Sequence, residues 1–134
     1  MLAAEKLLAL IDGLGGIVWE ADPGTFQFSF VSAEAERILG YPTSDWLEPG
    51  FWQRRTHPDD VERCTLCCRE AIREGRDHAF EYRMIASDGR VVWLRDIVSV
   101  RGAPGGSGRL VGISLDITAQ KQDEADKHRL SRLY

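Results

Sequence analysis

The stretch from Phe80 to Thr118 constrains the fold most, because β patterning and turn punctuation run through it without a break. Phe80, Tyr82 and Met84 alternate with Glu81 and Arg83 at the period of two that a half-buried strand requires, which predicts a strand from about Ala79 to Ala86. Ser87-Asp88-Gly89-Arg90 then turns the chain, glycine supplying a positive φ without steric cost. The β-branched and aromatic run from Val91 to Arg101 predicts a second strand, stopped by the Gly/Pro/Ser tract Gly102 to Gly108. Arg109 to Ile117 reads as the third, so the segment is an antiparallel meander.

Upstream, Leu2, Leu7, Leu8, Leu10 and Ile11 predict an amphipathic helix halted by Gly13 and Gly15-Gly16. A helix this short is marginal in water and has to dock on something. Ile17-Val18-Trp19-Glu20 reads as a strand. Thr25 to Val31 reads as another, with Phe26, Phe28 and Phe30 on one face and Asp22-Pro23-Gly24 as the hairpin turn. Ser32 is a candidate N-cap for a helix from Ala33 to Leu39, closed by Gly40; Thr43 similarly caps a short turn through Trp46 and Leu47. Phe51 and Trp52 fall in a further short helical turn.

His57-Pro58-Asp59-Asp60 opens the longest helix, expected to run to Glu74 and end at Gly75. Pro58 suits the first helical position, and the aspartates complement the positive end of the helix dipole, so the motif is explained without a catalytic or metal-binding His57. Val61, Cys64, Cys68, Ala71 and Ile72 make an apolar stripe at helical spacing that should cover a sheet. Two strands, four helices and three strands together predict an α+β domain, with helices on one face of an antiparallel sheet.

Gly40-Tyr41-Pro42, His57-Pro58-Asp59-Asp60, Phe80-Glu81-Tyr82-Arg83, the meander and Asp116-Ile117-Thr118 follow one another at domain-sized spacing. In these pieces, over about residues 16 to 118, the sequence resembles PAS domains, the sensory modules of signalling proteins. The resemblance implies a five-stranded antiparallel sheet in the order 2-1-5-4-3. It also implies a division into a leading helix (1–14), a PAS domain (15–118) and a C-terminal signalling helix (119–134). That last helix would begin a linker to an effector such as a histidine kinase or diguanylate cyclase. Asp116 and Thr118 would fasten the end of the last strand to it, with Thr118 as its cap and Leu130 and Leu133 starting an apolar seam.

A loop at Asp88-Gly89-Arg90 pairs Met84 with Leu94 and Tyr82 with Asp96. Phe80, Tyr82, Met84, Leu94, Asp96, Val98 and Val100 then share a face. Resemblance to flavin-binding relatives assigns that face to the side beneath the helices, with Gly112 and Ser114 joining it. Trp93, Ile97, Ile113 and Leu115 would face outward, an apolar surface to be covered by the leading helix, the trailing helix or a second subunit. Asp96 is the anomaly, since a carboxylate among Val and Leu is costly unless hydrogen-bonded. Tyr82 is the expected donor; the alternatives are a strand distortion that turns Asp96 to solvent, or an arginine partner. The candidate pocket for a small unidentified ligand comprises Phe28, Phe30, Trp52, Cys64, Cys68, Tyr82, Met84, Leu94, Asp96 and Ser114. Aromatic filling by Phe28, Phe30, Trp52 and Tyr82 would instead favour a ligand-free dimerisation and relay module.

No cofactor, metal or catalytic residue is expected. Flavin-binding relatives carry a reactive Cys in the short helix before the longest one, and Phe51 to Thr56 has none. Their flavin-gripping positions correspond to Met84, Leu94 and Ser114, which are apolar or too short. Haem-binding relatives use a His inside the longest helix, whereas Pro58 to Gly75 contains none; Cys64 or Cys68 is left as an alternative haem ligand. Cys64, Cys67 and Cys68 share one side of that helix, read as small apolar filler against thiol redox sensing or a reductase pair. A zinc site wants four ligands, and His57 is the one nearby histidine. Lysines and arginines are scattered in a chain of net charge -4, which argues against a nucleic-acid surface. No apolar run approaches the roughly 20 residues of a membrane span, and Glu5 and Lys6 interrupt any signal peptide. A cytoplasmic, homodimeric domain in a reducing compartment is the resulting expectation.

Overall fold

The meander of the sequence forms β3 (His78–Ile85), β4 (Val91–Arg101) and β5 (Arg109–Asp116), each antiparallel to the next. In this computed structural model residues 2–102 and 108–133 are described; most of the Gly102 to Gly108 tract and the side chains of Leu2 and Leu8 lie outside that part. Ahead of the meander come α1 (Leu2–Gly13), β1 (Gly16–Ala21), β2 (Phe28–Val31), α2 (Glu34–Leu39), α3 (Thr43–Trp46), α4 (Phe51–Arg55) and α5 (Pro58–Arg73), and α6 (Thr118–Ser131) follows it. The sheet order is β2-β1-β5-β4-β3. It is the five-stranded antiparallel sheet of the PAS fold, with β1 and β5 adjacent at its centre.

Strand faces follow the expected alternation, but the hairpin register differs. Tyr82 pairs with Leu94, Phe80 with Asp96 and Met84 with Val92. The turn closes earlier than expected, through Ala86 N–H donating to Arg90 O (2.9 Å), and Asp88 holds it by accepting from Arg90 N–H (3.1 Å). The displacement is an even number of residues, so every side chain keeps its face. Tyr82, Met84, Leu94, Asp96, Val98 and Ser114 are all buried, whereas Ile97 is 47% exposed.

Three local expectations are corrected. β2 begins at Phe28, because the chain loops from Asp22 to Gln27 and a bulge beside Glu20 and Ala21 resets its register. Ala21 pairs with Phe28 and Glu20 with Phe30, so Phe28 and Val31 point inward while Phe30 is 48% exposed and leaves the candidate pocket. Ser32 does not cap α2; its Oγ instead accepts from Val18 N–H (2.9 Å), tying the start of the helical segment to β1. Thr43 is the first residue of α3, behind Pro42, and makes no side-chain cap. Gly40 does close α2 in the left-handed conformation, at φ 83°.

The core lies between the sheet and α2 to α5. α5 presents Cys64, Cys68 and Ala71 to the sheet, and Trp19, Phe28 and Trp46 pack edge-on or tilted at 5.4 to 5.7 Å. Trp19 can lie flat because its neighbour on β5 is Gly112, where a β-carbon would overlap the indole ring. α1 sits on the opposite face, with Ile11 against Gly16 and Leu115 beside it. A groove of about 630 Å³ stays open there between Leu7 and Ile11 on one side and Val18, Ile97 and Ile113 on the other. Gly112→Ala should force Trp19 off this seat and cost about 1–3 kcal/mol of overpacking, read as a lower urea midpoint with an unchanged slope.

Candidate functional site

The helix-covered face of β3, β4 and β5 carries one buried polar cluster. Asp96 is 4% exposed, directly between Phe80 of β3 and Ser114 of β5. Tyr82 reaches it diagonally across the ladder, its hydroxyl donating to Asp96 Oδ2 at 3.1 Å, and Trp52 Nε1 of α4 donates to the Tyr82 oxygen at 3.2 Å. Trp19 Nε1 donates to Ser114 Oγ at 2.9 Å. Asp96 Oδ1 is buried and has no hydrogen-bond partner among the described residues. Burial pushes the Asp96 carboxyl up to about 7, against the opposing pull of the Ser114 and Tyr82 hydroxyls. Burial and the neighbouring Asp96 also raise the Tyr82 phenol, which stays a neutral donor.

Asp96 faces a cavity of about 30 Å³, walled by Trp19, Ala21, Phe26, Phe28, Trp52, Cys68, Phe80, Val98 and Leu110. This is room for a water molecule, against the roughly 300 Å³ or more of ordinary ligand pockets. Of the residues expected to line a pocket, Phe28, Trp52, Cys68 and Asp96 do so. Tyr82, Met84, Leu94, Cys64 and Ser114 pack around the same core without facing the cavity, and Phe30 is outside. Sequence reasoning missed Trp19 and Phe26. Trp19 was legible as the alternate of Ile17 on β1. Phe26 was not, because it adopts a positive φ of 61°, outside any strand, and reaches the wall from the loop. There it meets Trp52 edge-on at 5.6 Å and lies beneath the Arg69 guanidinium at 5.1 Å.

The two buried thiols on α5, Cys64 and Cys68, are poor nucleophiles. Desolvation pushes Cys64 up to about 11 and Cys68 further still, so both stay protonated near neutrality. His78 Nε2 lies 3.4 Å from Cys68 Sγ, and burial lowers the His78 pKa. Among the described residues no three His, Cys, Asp or Glu side chains are placed to hold a metal.

At the far end of β5, Thr118 is the first residue of α6 and not its cap. Asp116 Oδ1 accepts from both Thr118 N–H (3.0 Å) and Thr118 Oγ1–H (2.7 Å), while Thr118 Oγ1 accepts from Trp93 N–H (3.0 Å). Ile117 N–H donates to Trp93 O at 2.9 Å, so the strand-to-helix junction is stitched to β4. The His57 motif does more than start a helix. His57 Nδ1 accepts from Asp59 N–H (3.1 Å), but Asp60 is buried and accepts from Arg83 N–H, Nε and Nη2 at 2.8, 2.9 and 2.7 Å. Arg83 thereby holds the Asp60 carboxyl down to about 2.

A five-stranded sheet of this order, with helices over one face and a helix leaving the last strand, defines a PAS sensory module. The chain belongs to the PAS-fold family, whose sequence pattern matches residues 28–114. It is 33% identical over 124 residues to the two-component sensor PprA of Pseudomonas aeruginosa, covering 88% of this chain and 13% of that protein. It is 31% identical over 133 residues to a blue-light-activated histidine kinase of Brucella anthropi, covering 97% of this chain and 26% of that one. The N-terminal domain of a diguanylate cyclase with PAS/PAC sensor from Marinobacter aquaeolei superposes with a TM-score of 0.71 at 33% identity, covering 79% of this chain and 98% of that structure. The chain thus spans a small part of the curated relatives it matches. Among the described residues no helix is long and apolar enough to cross a membrane.

The two buried carboxyls give opposite pH signatures. Asp96 has its pKa raised from 3.8 to about 7, so its stabilisation is complete below about pH 4 and is lost as pH rises through 7. The loss amounts to about 4 kcal/mol in all, and Asp96→Asn should remove this slope from urea denaturation curves recorded between pH 4 and 8. Asp60, lowered from 3.8 to about 2, contributes above pH 4 and loses its share as pH falls through 2. Asp60→Asn should abolish that acid limb, worth about 2 kcal/mol.

Proposed function

We propose that this domain is the non-catalytic relay module of a longer cytoplasmic sensor, a histidine kinase or diguanylate cyclase, in which a rearrangement on the inner face of the sheet leaves through Asp116 and Thr118 into α6. The observation that carries this reading is the attachment of α6. The helix has no buried residue of its own, yet its first residues are hydrogen-bonded to β4 on both N–H and C=O of Trp93. A helix held at its first turn, where Lys121 also meets Glu81, and burying no residue beyond it is suited to changing orientation, and the differential stability of two such orientations is what an input has to bias.

The small inner cavity favours relay without an organic ligand. Flavin, whose ring system needs far more than about 30 Å³, is disfavoured by volume as well as by Met84 and Leu94. This separates the chain from what the name of its blue-light-activated relative says of that protein. Homodimerisation fits the outer face, where Leu7, Leu10 and Ile97 are exposed beside the open groove. A second reading, in which Asp96 binds a small polar ligand, is favoured by one observation: the unpartnered Oδ1 on the cavity wall. Such a ligand would need Phe26 or Trp52 to swing aside.

Native mass spectrometry of protein purified from its own host separates the two. The relay reading expects a dimer whose mass equals two chains. A bound organic mass that dissociates on denaturation would replace it with the ligand reading, and a clean monomer would remove the dimer.

A further inference from the structure

We propose that two ion pairs, Asp60–Arg83 and Glu81–Lys121, whose cations meet at the Trp93 ring, couple the start of α5 to the seating of α6, with that ring as the shared element. The proposal rests on the relay reading and assigns the side chains that carry it. Its first half is the Asp60–Arg83 pair, closed by three hydrogen bonds. The same end of α5 is bound to β3 by His57 N–H donating to Arg83 O (2.8 Å) and Arg63 Nη2 donating to Glu81 O (3.0 Å). The first turn of α5 and the outer side of β3 therefore move together.

The second half lies on the outer face. Arg83 and Trp93 are direct cross-strand partners, and the Arg83 guanidinium carbon lies 5.3 Å from the ring centre. Lys121 Nζ of α6 lies 5.0 Å from the same centre and 2.7 Å from the Glu81 carboxylate. Glu81 raises the Lys121 pKa through that hydrogen bond, so the ammonium is charged. Two cations at one ring repel each other unless each has its own anion. Asp60 neutralises Arg83 at 2.7 Å, with Arg63 more distant at 3.7 Å, and Glu81 neutralises Lys121 at 2.7 Å, with Arg95 more distant at 3.5 Å. Withdrawing Asp60 leaves the Arg83 charge directed at Trp93 and Lys121, and the side that yields is α6, which buries no residue elsewhere.

The path also has an inner terminus. Asp60, Cys64 and Cys68 recur at four-residue spacing on one face of α5, and Cys68 is in the wall of the Asp96 cavity. A rearrangement there displaces α5 and with it the anion that balances Arg83.

Hydrogen exchange of the whole chain, followed by mass spectrometry on peptides of α6, tests this. Asp60→Asn should speed exchange of the α6 amides at least about fivefold while β4 and β5 stay protected, and the effect should vanish in a Lys121→Ala background. Unchanged α6 exchange in a folded Asp60→Asn protein overturns the proposal. Should that variant unfold, Trp93→Leu on the half-exposed outer face decides: faster α6 exchange supports the path, and unchanged exchange overturns it. Asp96→Asn separates the two readings. If it loosens α6 while Asp60→Asn does not, the relay stands and this path fails. If Asp60→Asn loosens α6 and Asp96→Asn does not, the path stands and the inner face is not its origin.

Discussion

The domain hangs from β4, whose backbone is paired along both edges, to β3 on one side and β5 on the other. Pairing on both edges pins its register, and strict alternation then sends its side chains to two different environments. Leu94, Asp96 and Val98 go to the buried interior; Trp93 and Arg95 go to the outer face where α6 is rooted. A single strand thus carries the buried carboxyl and the seat of the exit helix, a few residues apart. Any distortion of β4 that moved one would move the other.

The two faces hold charge in contrasting ways. Inside, Asp96 is surrounded by aromatic and aliphatic groups and the hydroxyls of Ser114 and Tyr82, and desolvation dominates, so its proton is held to near neutral pH. At the sheet edge, Asp60 is nearly as inaccessible but meets a guanidinium in a bidentate fork, so its charge is retained into strong acid. The difference lies in the partner. A hydroxyl stabilises either protonation state of a carboxyl, whereas an arginine stabilises only the anion.

The meander, the length of α5 and the identity of the two sheet faces were legible in the sequence because they depend on periodicity, which survives a shift of register by two. Sheet order came from resemblance and agrees with the structure. Ser32 and Thr43 misled as caps because a hydroxyl at a helix start signals where a helix begins without specifying which N–H it meets; Ser32 found one on β1. Phe30 misled because one extra residue in β2 reverses the faces beyond it. The Asp60–Arg83 pair was out of reach, since its partners lie on separate elements and each had an adequate local explanation. Cavity size was equally out of reach, being set by the mutual tilt of Trp19, Phe26, Phe28 and Trp52.

Phe26 gives the small cavity a particular character. Its left-handed backbone, at φ 61°, is a conformation that costs a non-glycine residue on the order of 1–3 kcal/mol, and the packing of its ring against Trp52 and under Arg69 offsets that cost. The backbone itself is held by Phe26 N–H donating to Asp22 O (2.8 Å). The dimensions of the innermost space are thus set from the loop between β1 and β2, by a residue that belongs to neither the sheet nor the helices.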